Sequence, residues 1–108
     1  MDFNRYQERA LETAKFPEKE WLAYLSLGLV GEAGEIANKV KKIFRDKNGE
    51  IDIETISKLV DEMGDVLWYM AILSKHLGVD LNDVAKLNIL KLEDRYNRKV
   101  IHGDGDNR

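Results

Sequence analysis

No cysteine occurs in the 108 residues, so neither a disulfide nor a thiolate-bound metal can contribute to this protein. That absence fits a reducing compartment, and the cytoplasm is the expected location. Proline occurs once, at Pro17, which leaves the rest of the chain without the residue that most strongly interrupts a helix. No apolar run reaches the roughly 20 residues of a membrane span. The opening MDFNRYQERA is too polar for a secretory signal. Basic charge is not in excess either: 17 Lys and Arg against 20 Asp and Glu give a net charge of −3. Neither a membrane nor long nucleic acid is therefore an expected partner, the latter because it requires a basic face. Sustained β-branched alternation is also missing, which argues against strands.

What the chain has in quantity is apolar residues three and four apart. The spacing predicts a first helix from Phe3 to about Lys15, broken at Phe16-Pro17. A second helix should start at Pro17, with Glu18 and Glu20 at its positive end, and run to about Phe44. Asp46-Lys47-Asn48-Gly49 reads as a turn. A third helix should cover Ile53 to Leu77, stopped by Gly78. Asp80 is the expected N-cap of a fourth helix ending near Tyr96, and 97–108 reads as a polar, glycine-rich tail. The expected fold is therefore all-α, of four-helix-bundle type, with two long antiparallel helices, in one domain. A chain this short buries a modest core, so self-association to cover apolar surface is expected.

Chemistry is concentrated in four acids. In WLAYLSLGLVGEAGEIA the only charges are Glu32 and Glu35, and an i, i+3 pair lies on one helix face. Glu62 and Asp65 repeat the arrangement in DEMGDVLWYMAIL, with Asp61 turned about 100° away toward solvent. The turn near Asn48 places Glu35 and Glu62 at nearly equal heights on antiparallel neighbours, so the two pairs can meet. Four clustered carboxylates repel one another and call for a cation. Oxygen ligands without histidine or cysteine favour Mg2+, with Mn2+ as a substitute, over zinc. The E-x-x-H motifs of di-iron bundles do not occur at these positions. His76 and His102 lack partners at ligand spacing; Lys39 and Lys42 could bind phosphates, but a helix C-terminus attracts lysines in any case. Gly28, Gly31 and Gly34, each costing a helix roughly 1 kcal/mol relative to alanine, imply close approach of a helix or ligand.

At LVGEAGEIANKVKK and DEMGDVLWYMAIL the chain resembles the MazG-like all-α nucleoside triphosphate pyrophosphohydrolases, whose signature is E-x-x-E followed by E-x-x-D. Gly31 stands where the fuller signature has a further glutamate. NILKLEDRY resembles the family's N-x-x-K-L-x-x-R-Y stretch, and YQERALETA and the final GDGDNR are similar to its ends. The resemblance implies hydrolysis of nucleoside triphosphates between the α and β phosphates, with magnesium, by a homodimer or homotetramer. It implies that Glu32, Glu35, Glu62 and Asp65 bind metal, with Glu35 or Glu32 also serving the attacking water. It further implies that Asn88, Lys91 and Arg95 contact phosphates. Tyr69 would border the sugar, and Gln7, Phe16 and Trp21 would lie near the base. Trp68, about 100° from Tyr69, is expected in the core or an interface. The competing expectation is a non-catalytic helical module that dimerises or binds a partner.

Overall fold

The computed structural model describes residues 1–100 and 102. Asp2 opens the first helix, α1 (Phe3–Leu11), by accepting the Arg5 N–H at 2.8 Å. Sequence spacing carried this helix to about Lys15, but it ends four residues sooner. Its last turn tightens into i, i+3 bonds from Glu12, Thr13 and Ala14, and the Thr13 hydroxyl donates back to the Ala10 carbonyl at 2.8 Å. Pro17 then starts a short 3-10 turn, Glu18–Glu20, rather than the second helix itself. The second helix, α2 (Trp21–Lys47), begins after that turn and extends three residues past the expected end. Asn48 and Gly49 both take positive φ, and Gly49 N–H bonds the Ile43 carbonyl at 3.2 Å, which closes the C-terminus.

Asp52 caps the third helix, α3 (Ile53–His76), accepting from the Thr55 N–H at 2.8 Å and the Thr55 hydroxyl at 2.6 Å. Lys47 reaches across the turn to the same carboxylate at 2.8 Å, and this ion pair and the Thr55 bonds hold Asp52 well below the usual carboxylate range. Gly78, with φ of 80°, ends α3, and α4 (Leu81–Asn97) follows. Asp80 occupies the N-cap position of α4, but its side chain makes no capping bond. Two α1 side chains do the capping: Gln7 Oε1 accepts the Leu81 N–H at 3.1 Å and Asn4 Oδ1 accepts the Asn82 N–H at 3.3 Å.

The architecture is all-helical. The two long helices pack antiparallel along their length, α1 crosses α3, and the backbone of α4 packs on α1 and α3 and not on α2. The core sits at one end of the hairpin, where Ala10, Leu25, Ala71, Ile72 and Leu81 are buried beneath Tyr6, Phe16, Trp21 and Leu73. Toward the 48–52 turn the hairpin is uncovered, and Phe44, Ile53, Ile56 and Val60 are exposed. Among the described residues no helix is long and apolar enough to cross a membrane. The tail read as a polar loop falls, at 101 and 103–108, outside the described residues.

Candidate metal centre

The seam between α2 and α3 carries a seven-residue ladder on each helix: Leu25, Glu32 and Lys39 on one, Thr55, Glu62 and Tyr69 on the other. Seven residues are two turns less about 20°, so the members of each ladder face the same neighbour. Glu32 and Glu62 therefore meet half-buried in the middle of the seam, and Asp65 joins them from one turn further along α3. Carboxylate oxygens of Glu32, Glu62 and Asp65 all lie within 4.8 Å of one another.

Such crowding has an electrostatic consequence. The pKa of Glu32 is raised, first by a hydrogen bond with Glu62, then by burial, then by the charges of Asp65, Glu62 and Glu35. A proton held between two carboxyls is the cheapest relief when no cation is present. Lys39 gives partial compensation, with its ammonium 3.2 Å from Glu62 Oε1. The donor set is all oxygen, with no sulfur or nitrogen ligand within the cluster, which fits a hard divalent ion such as magnesium. Glu35 stands outside the trio, exposed, on the same α2 face and close enough to raise the Glu32 pKa.

Aromatic rings border the acids on the side toward the core. Tyr69 is itself raised in pKa by burial first, then by Tyr24, then by the charges of Glu32 and Asp65, which places its phenol at the edge of the cluster. Its ring lies against Gly28, where a Cβ would strike the Cε1 and Cζ atoms. Tyr6 approaches from α1, and burial and the charge of Asp65 raise its pKa too. Tyr24 lies 6.4 Å from Tyr69 between ring centres and stacks on Phe16 at 5.4 Å and 12°. Trp21 and Phe16 both pack on His76, whose imidazole also contacts Glu18 at 3.0 Å. Trp68 turns aside, donating its indole N–H to the Thr13 hydroxyl at 2.8 Å.

Of the residues the sequence singled out, Glu32, Glu62, Asp65 and Tyr69 come together, with Glu35 adjacent and Phe16 one ring further out. Gln7 lies elsewhere. It is buried, and its amide nitrogen donates to the Ala71 carbonyl at 2.9 Å while its oxygen caps α4. Its polar atoms are committed to backbone, so the structure gives it an architectural task. Asn88 and Lys91 are exposed on α4 and Arg95 is buried there, on a helix whose backbone packs on α1 and α3 and not on α2. Sequence reading missed Tyr24 and the Lys39–Glu62 pair. Tyr24 was findable, because it precedes Gly28 by four residues on the Glu35 side of the helix.

A family model described as the MazG nucleotide pyrophosphohydrolase domain matches residues 22–100. The Gene 37 protein of Mycobacterium phage L5 is 50% identical over the full length of both chains. An uncharacterized protein of Bacillus subtilis (strain 168), YvdC, is 37% identical over 75% of this chain and 85% of its own. No solved structure matches.

Proposed function

This chain belongs to the MazG nucleotide pyrophosphohydrolase family, and we propose that it hydrolyses nucleoside triphosphates to monophosphate and pyrophosphate with magnesium. The observation that carries the reading is the convergence of Glu32, Glu62 and Asp65 within 4.8 Å beside a tyrosine-lined surface. Glu32, Glu62 and Asp65 would hold the ion, with Mn2+ as a substitute. When bound, it polarises phosphoryl oxygens, acidifies water and neutralises leaving charge. Glu35, outside the trio and facing solvent, orients the attacking water and accepts its proton. The water oxygen bonds to the α phosphorus, the α–β bridging bond breaks, and pyrophosphate departs with those electrons. Tyr69, Tyr24 and Phe16 border the nucleoside. Asn88, Lys91 and Arg95 serve the phosphates in this reading. The chemistry needs little beyond position and charge, as phosphoryl transfer generally does.

Pyrophosphate release, measured across ribo-, deoxy- and modified nucleoside triphosphates with magnesium, tests this directly. Wild type should release pyrophosphate from at least one. Asp65→Asn and Glu35→Gln should each lose roughly a hundredfold or more in turnover with an unchanged helical circular dichroism spectrum. No release from any nucleotide would leave a helical association module in place of the enzyme.

The proposed assembly is a homodimer or homotetramer. Ile53, Ile56, Val60 and Met63 are each at least half exposed, at spacings of three, four and three that match a helix-pairing seam. Met63 and Asp65 diverge by about 160° around α3, so a second copy on this seam leaves the acids open. Val60→Lys should shift the mass in analytical ultracentrifugation toward the monomer. An unchanged mass would remove this seam from the interface.

A further inference from the structure

The 12–20 segment joins α1 to α2 and carries Phe16, whose ring stacks on Tyr24 and so forms the outer edge of the aromatic border. Its first N–H groups, from Glu12, Thr13 and Ala14, turn back to α1, and that of Glu20 bonds to Pro17. Past Thr13, one side-chain hydrogen bond among the described residues ties the segment to a helix. Glu18 Oε2 lies 3.0 Å from Nε2 of His76, in the last turn of α3. The two residues stand 58 apart in the chain, so this contact fixes where the short turn rests.

His76 has an acceptor at each ring nitrogen. Nδ1 lies 3.0 Å from the Ile72 carbonyl, and Nε2 faces the Glu18 carboxylate. A neutral imidazole has one N–H, so it donates to one of these and turns a lone pair toward the other. The imidazolium donates to both. In that form it also meets the negative end of α3 and the faces of two aromatic rings, Phe16 at 5.3 Å and Trp21 at 5.4 Å between centres. Glu18 is the charged group that faces it from the short turn. From α2 it meets Trp21, which does not titrate, and on α3 the neighbouring Lys75 is exposed. The His76 side chain is 20% exposed, so its proton exchanges with solvent.

We propose that His76 is a pH-dependent positioning residue: as the imidazolium it clamps Glu18 and thereby holds Phe16 against Tyr24, which sets the wall that receives the nucleoside. The inference rests on the pyrophosphohydrolase reading, which puts the nucleoside against these rings. Histidine exchanges its proton around neutral pH. When it does, the ion pair and its two bonds become a single bond beside a repulsive lone-pair contact. The 12–20 segment then loosens, and the wall loses its outer ring. The acids take no part in this change, so KM responds and kcat does not.

NMR of the histidine side chains, with cross-peaks between the Phe16 and Tyr24 rings, reads the clamp without substrate. His76→Gln separates the His76 signals from those of His102. In the wild type the Phe16–Tyr24 cross-peak should weaken as His76 passes from two ring N–H groups to one, and Glu18→Gln should flatten that dependence. Kinetics with the nucleoside triphosphate that the wild type cleaves fastest reads the consequence. His76→Gln should raise KM about fivefold at about pH 6 with kcat within about twofold, and the ratio of its KM to that of the wild type should fall toward one at about pH 8.5. A Phe16–Tyr24 contact that stays constant while His76 titrates would overturn the clamp. A KM ratio equal at both pH values would overturn its part in substrate binding. Wild type that shows the clamp yet releases pyrophosphate from no triphosphate would overturn the enzymatic reading and leave the clamp standing.

Discussion

Leu25 and Ile53 belong to the same pair of helices, yet one is fully buried and the other is 86% exposed. The difference is α1. Where it crosses α3, an aliphatic and aromatic core forms. Beyond its reach the hairpin keeps only Ile43 and Thr55 fully buried among the described residues, with Val40 and Leu59 half-buried, and Phe44, Ile53, Ile56, Val60 and Met63 face outward. The acids lie at the boundary between these halves. A covered half supplies rigidity for the site, and a bare half supplies a surface that a second copy can use. Stability of the two halves should therefore respond differently to mutation, to pH and to protein concentration.

The largest expected effect tests the covered half. Ile72 is fully buried within the core that α1 closes. Ile72→Ala should cost about 3 kcal/mol in urea unfolding, as buried aliphatic truncations do. The loss should not vary with protein concentration, because the site lies within one chain. A cost that shrinks as protein is diluted would mean that this core, too, depends on a partner.

Next in size is the tie between α1 and the α3–α4 junction. Gln7→Leu leaves the Leu81 N–H and the Ala71 carbonyl without their partner in a buried setting. A loss of about 2 kcal/mol is expected, with KM for the best nucleotide unchanged. A raised KM at unchanged stability would return Gln7 to the substrate site.

The halves should also differ in the sign of their pH dependence. Asp52, at the bare end, has a folded pKa below its ordinary 3.8 because of Lys47 and Thr55. Its contribution is complete above that value and is lost as pH falls below it. Glu32 has a folded pKa above its ordinary 4.5 because it shares a hydrogen bond with Glu62. The folded state then binds more protons than the unfolded one, so stability falls as pH rises from about 4.5 through the raised value. Thermal melts should show both slopes. Magnesium should raise the melting temperature by several degrees above that window and have little effect below it. Equal magnesium stabilisation at both ends of the pH range would show that the acids are not its site.

How much of this was legible follows from the distance over which each feature is specified. The two acid pairs could be read directly, because i, i+3 spacing is a local property of the chain, but their register was read about one turn off: Glu32, not Glu35, meets Glu62. The four helices and their order could be read directly as well. Gln7 could not be placed, since its partners lie 64 and 74 residues away and a glutamine near the N-terminus has no local mark of burial. The same is true of the α4 cap. Asp80 carries the expected residue type at the expected position, but α1 occupies the cap from outside. The early end of α1 depended on a threonine hydroxyl competing for its own backbone, a choice that spacing does not reveal.

The glycines of α2 make the finest comparison, because the sequence treats them alike and the structure does not. A Cβ at Gly28 would land on the Tyr69 ring, whereas nothing lies within 4 Å of one at Gly31. Both substitutions gain helix propensity, up to about 1 kcal/mol. At Gly28 that gain is opposed by overpacking of about 1–3 kcal/mol, and the ring that must move borders the acids. Gly28→Ala should therefore lose stability on balance and raise KM. Gly31→Ala should gain roughly 0.5–1 kcal/mol with no change in KM. Urea titration of both variants at several protein concentrations checks the difference. A loss at Gly31 that grows with protein concentration would place a second copy against this part of α2, making the glycine a contact point between chains rather than a gap within one.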